Sequence, residues 1–203
     1  MLPLFPLPNV VLFPNVFLPL HIFEGRYRAM VQDALAGDRI IGMVLLQDES
    51  EQGAPVPPVY DVGCSGLITH SESAGEERSN IVLRGLERFR ILKEDHTRPY
   101  RQAMVKPLPE PTIGDTALQR HRERLEELLS QRLKATRSET WIPSQMANGD
   151  LVNTLSQYLE LDAVEKQALL ERDGLMDRCQ SLIDLLEMDA LTDGCGFSRV
   201  TVQ

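Results

Sequence analysis

The stretch MLPLFPLPNVVLFPNVFLPLHIFEGRYR, residues 1–28, decides how the chain is read, because no side chain in it is formally charged before Glu24. Such a run could be a secretion signal, a membrane anchor or part of a folded core. A signal peptide is disfavoured, since the run has no basic segment before its apolar part and Pro3, Pro6, Pro8, Pro14 and Pro19 interrupt it. A membrane helix is disfavoured for the same reason. Each internal proline removes a backbone donor and costs about 3 kcal/mol inside a helix. Short buried strands are left, predicted at Val10–Phe13 and Val16–Leu18, with Asn9 and Pro14-Asn15 as turns.

Working outward, Tyr27, Met30, Val31, Ala34 and Leu35 recur at helical spacing behind Glu24, and Gly37 closes the helix. Strands are predicted over Arg39–Leu46, over Val59–Thr69 with a bulge or close backbone approach at Gly63 and Gly66, over Ile81–Leu92 and over Tyr100–Leu108. Polar or turn-rich loops separate them at 53–58 and 71–80. Twelve of the thirteen prolines lie at or before Pro111, and from Asp115 the pattern turns helical. Four apolar stripes follow: Leu118, Leu125, Leu128, Leu129 and Leu133; then Leu151, Val152, Leu155, Tyr158 and Leu159. The third is Val164, Ala168 and Leu169 behind a capping-box start at Asp162 and Glu165, and the last is Leu175, Cys179, Leu182, Ile183 and Leu186. The expectation is an α+β chain: a β-rich part over 1–111, then an α-helical bundle over 112–203 with a short C-terminal tail from Cys195.

Composition bounds the function. The chain has 203 residues, 42% hydrophobic and 25% charged, which suits an ordinary globular protein. A net charge of -9 disfavours global attraction to nucleic acid or anionic lipid. Three cysteines argue against a disulfide framework and for a reducing, cytoplasmic setting.

Catalytic motifs fail on inspection. Gly63-Cys64-Ser65-Gly66 approaches a nucleophile elbow, but Leu67 stands where the second glycine of that motif belongs. Gly37-Asp38-Arg39-Ile40-Ile41-Gly42 approaches a phosphate loop, but Met43 and Val44 replace the lysine and Ser/Thr. His21, His70, His96 and His121 are scattered and no C-x-x-C pair exists, so neither metal nor cofactor is expected. Glu123, Glu126 and Glu127 alternate with Arg120, Arg122, Arg124 and Arg132, the pattern of a solvated helix face with ion pairs.

One charge feature stands out. Residues 78–106 carry eight basic against three acidic residues, whereas 111–203 carries ten against sixteen. The strip is either a set of outward residues paired with acids of the helical half or a binding face, where phosphate contact would be the RNA-binding alternative. With 5% aromatic residues, stacking platforms for bases are scarce.

The order of motifs resembles the Lon substrate-binding domain, the N-terminal domain of ATP-dependent Lon proteases. LPLFPLPNVVLFPNVFLPLHIFEGRYRAMVQDAL is similar to that family's leucine-proline-leucine, phenylalanine-proline, leucine-proline-leucine opening and its phenylalanine-glutamate-x-arginine-tyrosine helix start. DVGCSGLITH and VLRGLERFRIL are similar to two of its later strands. The resemblance places family motif residues at Pro14, Phe23, Glu24, Arg26, Tyr27, Gly63, Gly85, Arg88 and Phe89. It implies a PUA-like β pseudo-barrel with a packed helix, followed by an α-helical bundle, and a polypeptide-recognition role without ATPase or peptidase chemistry. A groove between barrel and bundle is the expected place for a ligand. Arg88 and Arg90, taken to lie on the outward face of their strand, with Tyr60 and Tyr100 as aromatic anchors, are the expected binding residues. The expected partners are unfolded polypeptides; the alternative is an adaptor that docks on a protease or chaperone or pairs with itself. No membrane partner is expected.

Overall fold

A computed structural model describes residues 1–48, 56–73, 78–111, 115–136 and 146–194. Residues 53–55 of the loop predicted at 53–58 therefore lie outside the described residues, as does the tail from Cys195. The chain forms two compact units, Met1–Pro109 with Asn153–Glu171, and Glu110–Val152 with Arg172–Gln203.

The first unit is built on six strands: β1 Leu2–Leu7, β2 Phe17–Ile22, β3 Ile40–Leu45, β4 Val62–Ser73, β5 Ser79–Asp95 and β6 Gln102–Leu108, with helix α1 at Gly25–Ala36. The sheet runs β2-β5-β4-β3-β1-β6, and β6 pairs back onto β5, which closes five strands into a barrel and leaves β2 as an edge. The 17-residue β5 makes closure possible. Its first part pairs with β2 and β4 and its last part with β6. Leu4, Val44, Leu46, Val59, Phe89 and Ala103 form a core cluster in this unit.

The opening stretch is core, and of its two predicted strands the second is realised in part, since β2 takes in Phe17 and Leu18, while the first is not. Val10–Phe13 is not a strand, although Val11, Leu12 and Phe13 are buried; β1 occupies Leu2–Leu7 despite Pro3 and Pro6. The ladder explains the tolerance. The Leu4 N–H reaches the Arg101 carbonyl on the β6 side (2.8 Å), and the Leu7 carbonyl accepts from Leu46 on the β3 side (2.9 Å). Alternation then aims the missing donor of Pro3 towards β3, whose ladder starts only at Leu4, and that of Pro6 towards β6, which pairs only with Leu2 and Pro3. Pro19 sits on the edge strand β2, where its side away from β5 has no strand to donate to.

Two close approaches fix the glycines. The register irregularity between Cys64 and Gly66 and the tight packing at Gly63, where a Cβ would lie 2.4 Å from the Met43 carbonyl and 2.7 Å from the Phe89 ring, realise both alternatives predicted for that strand. At Gly85 the chain segment 13–16 crosses so closely that a Cβ would lie 2.0 Å from the Phe13 carbonyl oxygen. Backbone bonds from Asn15 to Gly85 and from Gly85 to Val16, both 2.9 Å, lock that crossing.

The polar loop predicted at 71–80 is shorter than expected, since β4 runs to Ser73 and β5 begins at Ser79. Helix α3 spans Asn148–Tyr158 and α4 spans Ala163–Leu170. The division between units falls inside α3, so residues 153–171 belong with the barrel and not with the other helices, a different partition from the boundary at 111/112. Polar groups carry the attachment. Gln157 accepts from the Phe13 N–H (3.1 Å) and donates to the Val11 carbonyl (2.8 Å), and Gln167 donates to the Val62 carbonyl (2.9 Å). Asn153, Ser156, Gln157 and Gln167 are accordingly buried, while Tyr158 and Val164, predicted in apolar stripes, are 61% and 60% exposed. The capping box at Asp162 forms: its N–H donates to Glu165 Oε2 at 2.9 Å.

In the second unit, α2 Asp115–Thr136 and α5 Leu175–Gly194 pack together, burying Leu118, Leu125, Leu128, Leu129, Cys179, Leu182, Ile183 and Leu186. Arg124 joins Glu127 of its own helix (2.7 Å) and Glu187 of α5 (2.6 Å).

Candidate functional site

Among the described residues of the barrel unit, a cavity of about 150 Å³ lies where the start of α1 meets the turn between β5 and β6. Local sequence builds it from both sides. Helix α1 begins behind Glu24, whose carbonyl accepts from the N–H groups of Tyr27 and Arg28 (both 3.0 Å), so Arg26 and Tyr27 lie in its first turn. Tyr27 packs against Phe5 of β1 with ring centroids 4.5 Å apart, and the Arg26 guanidinium stacks 4.6 Å from the Tyr27 centroid. On the other side, Thr97 N–H donates to Asp95 Oδ1 at 2.8 Å, a turn that also holds this carboxyl below its usual pKa, and the chain returns through Arg98, Pro99 and Tyr100.

The basic side chains around the cavity are tied to acids. Arg26 pairs with Glu24 (2.8 Å), Arg98 with Asp33 of α1 (2.6 Å) and Arg101 with Glu94 (2.6 Å). Arg101 also donates to the Pro57 carbonyl (2.5 Å), so all three of its nitrogens are engaged. Tyr100 donates its hydroxyl to the same Asp33 carboxylate at 2.6 Å. Burial pushes the hydroxyl pKa of Tyr27 up, and burial together with Asp33 does the same for Tyr100, so both are neutral phenols at neutral pH.

The four expected binding residues do not converge. Tyr100 lines the cavity; Tyr60 and Arg90 do not. Arg90 is exposed, as the alternation in β5 suggested, but Arg88 is not an outward residue: it is 4% exposed, and its Nη1 donates to the Leu170 carbonyl at 2.8 Å. The cause is tertiary, because the end of α4 covers that position. Tyr60 is half-buried and its N–H serves the Leu45 carbonyl (2.9 Å). Of the family motif residues, Glu24, Arg26 and Tyr27 gather at the cavity entrance to α1; Phe89 and Gly63 meet in the barrel core; Gly85 and Pro14 form the crossing; and Phe23 is 62% exposed. What pattern reading passed over is Asp33, an acid on the helix that joins Arg98 and Tyr100; its only signal was its lone position on the face of α1 opposite the apolar stripe.

Part of the basic strip of 78–106 is paired inside the barrel unit. Arg98 and Arg101 use Asp33 and Glu94, not acids of the C-terminal helices, and Arg84 donates to Asn15 (3.4 Å). Cys64 is buried, and the Ser65 hydroxyl donates to the Glu87 carbonyl at 3.0 Å, pinning β4 to β5 at the bulge. Among the described residues no group of three or more His, Cys, Asp or Glu side chains is arranged to hold a metal, and no helix is long and apolar enough to cross a membrane.

The family model for the ATP-dependent protease La (LON) substrate-binding domain matches residues 1–188. The chain is 28% identical over 193 residues to Lon protease 2 of Myxococcus xanthus, a match covering 91% of this chain and 23% of that protein. It is 27% identical over 198 residues to the Lon protease of Flavobacterium johnsoniae, covering 93% and 24%. The chain thus spans about a quarter of the length of these curated relatives. Among solved structures, the N-terminal domain of Mycobacterium avium complex Lon protease superposes with a TM-score of 0.73 at 18% identity, covering 92% of this chain and 97% of that one. The Lon N-terminal domain protein from Xanthomonas campestris gives 0.64 at 22%, covering 90% and 96%. At these identities the structural likeness speaks for the fold.

Proposed function

Since this chain belongs to the ATP-dependent protease La (LON) substrate-binding domain family, we propose that it is a non-enzymatic module that binds unfolded polypeptide in the cytoplasm, without cofactor or ATP. The observation that carries this reading is the cavity at the start of α1. It sets two tyrosines and the prolines at 6, 57 and 99 beside guanidinium donors, which is the mixture of apolar contact and hydrogen bonding that an extended peptide presents to its receptor. The basic strip supports nucleic acid less well, because Arg88 is buried and Arg98 and Arg101 are already paired with carboxylates.

The test is fluorescence anisotropy with a labelled, permanently unfolded polypeptide and a labelled RNA oligomer, each titrated without ATP at low and moderate salt. Binding of the polypeptide with mild salt dependence is the expected result. Binding of the RNA alone, lost steeply with salt, would overturn the reading in favour of a phosphate site. If neither probe binds, the adaptor alternative replaces it, and the mass of the free protein in solution tests self-association.

A further inference from the structure

Resting on the polypeptide-binding reading, we propose that the cavity receives a carboxylate of the bound chain, its free C-terminus or an acidic side chain. Three observations meet there. Tyr27 is only 6% exposed, yet no hydrogen bond engages its hydroxyl among the described residues. The hydroxyl oxygen keeps access to the cavity that Tyr27 lines, so its hydrogen is free for a ligand acceptor. Next, two guanidinium groups keep unspent donors. Arg26 commits Nε and Nη2 to Glu24, which leaves Nη1; Arg98 commits Nη1 to Asp33, which leaves Nε and Nη2. Planar guanidinium donors match the two oxygens of a carboxylate. Last, the local charge suits one negative charge and not several. Arg26, Arg98 and Arg101 are balanced by Glu24, Asp33 and Glu94, and His96 adds a titratable group 3.6 Å from Glu94. Spare donors without a large spare charge fit a monoanion; a polyphosphate chain would also meet the repulsion of a protein of net charge -9.

Size agrees with this assignment. A volume of about 150 Å³ is on the order of five water molecules at liquid density. That holds a carboxylate with the carbon skeleton of about one residue, and the prolines at 6, 57 and 99 supply apolar wall for it. Arg101, with every nitrogen engaged, positions the walls and does not contact the ligand.

The experiment compares three labelled unfolded peptides by anisotropy: one lacking Asp and Glu with a free C-terminal carboxylate, the same peptide amidated, and the amidated peptide with one internal Glu. Amidation should weaken binding about tenfold, the worth of one charge-assisted hydrogen bond. If the internal Glu restores affinity, side-chain carboxylates are the ligand; if it does not, the chain terminus is. Tyr27→Phe, which removes one hydroxyl, and Arg98→Gln, at the exposed rim, should each shrink the difference between free acid and amide. Equal binding of all three peptides, or a preference that survives in both variants, overturns the carboxylate assignment while leaving polypeptide binding in place. Should none of the peptides bind, N-acetyl-alanyl-alanine as free acid and as amide decides the matter by NMR. Shifts of the Arg26 and Arg98 Nε–H signals with the acid alone keep the carboxylate site and sink the polypeptide reading, and no shift sinks both.

Discussion

Replacing Arg88 by alanine should unfold the barrel unit more easily, whereas the same change at Arg90, two residues along the same strand, should leave stability almost untouched. The Arg88 side chain is 4% exposed and donates from Nη1 to the carbonyl of Leu170, the last residue of α4, at 2.8 Å. Carbonyls at a helix end lack intrahelical partners, and a cation there also meets the negative end of the helix dipole. Losing a hydrogen bond to a charged group costs about 1.5–3 kcal/mol, and losing the dipole contact about 0.3–1 kcal/mol. Together they come to about 3 kcal/mol, a large share of a typical total of about 5–15 kcal/mol. With a denaturant slope of about 2 kcal/mol/M, the urea midpoint should fall by about 1.5 M, read by far-UV circular dichroism. Arg90→Ala, at an exposed position, should stay within about 0.5 kcal/mol of the parent. Arg88→Met, which retains most of the apolar stem, should fall between the two. Equal midpoints for Arg88→Ala and Arg90→Ala would refute the structural role and return Arg88 to the list of surface binding residues.

Gly85→Ala forces a methyl group to within 2.0 Å of the Phe13 carbonyl oxygen and breaks the two 2.9 Å backbone bonds of the crossing, so a loss of about 3 kcal/mol or more, or an insoluble product, is expected; a thermal midpoint within a few degrees of the parent contradicts the close approach. Burial pushes the Cys179 thiol up to about 11. Its neutral form then stabilises the fold fully below the unfolded value of about 8.5, and this contribution is lost as pH rises through about 11. At pH 8 iodoacetamide should therefore label native Cys179 far more slowly than the urea-unfolded chain, and equal rates would show that the thiol is accessible.

The helices and most strands were legible because their signals are local. Spacing of Tyr27, Met30, Val31 and Ala34 gave α1, and Asp162 with Glu165 gave the start of α4, since caps and stripes depend on residues three or four apart. The cavity was half legible: Arg26, Tyr27 and Tyr100 were singled out, but Asp33 and the turn that carries Arg98 to it were not, because residues 33 and 98 approach only after the barrel closes. Position Val10–Phe13 misled for a related reason. Apolar residues in a row mark burial, and burial of that segment needs no ladder once Gln157 satisfies the Val11 carbonyl and the Phe13 N–H from 144–146 residues away.

By itself the sequence determined the class of fold and the order of its elements, through periodicity, proline placement and capping residues that act within a few positions of one another. Tertiary structure alone decided which prolines could sit inside a strand, that Arg88 is buried, that residues 153–171 belong with the barrel, and that Tyr27 and Tyr100 line one cavity. Each of those outcomes depends on which chain segment covers a given face, and covering is settled by contacts between residues far apart in sequence.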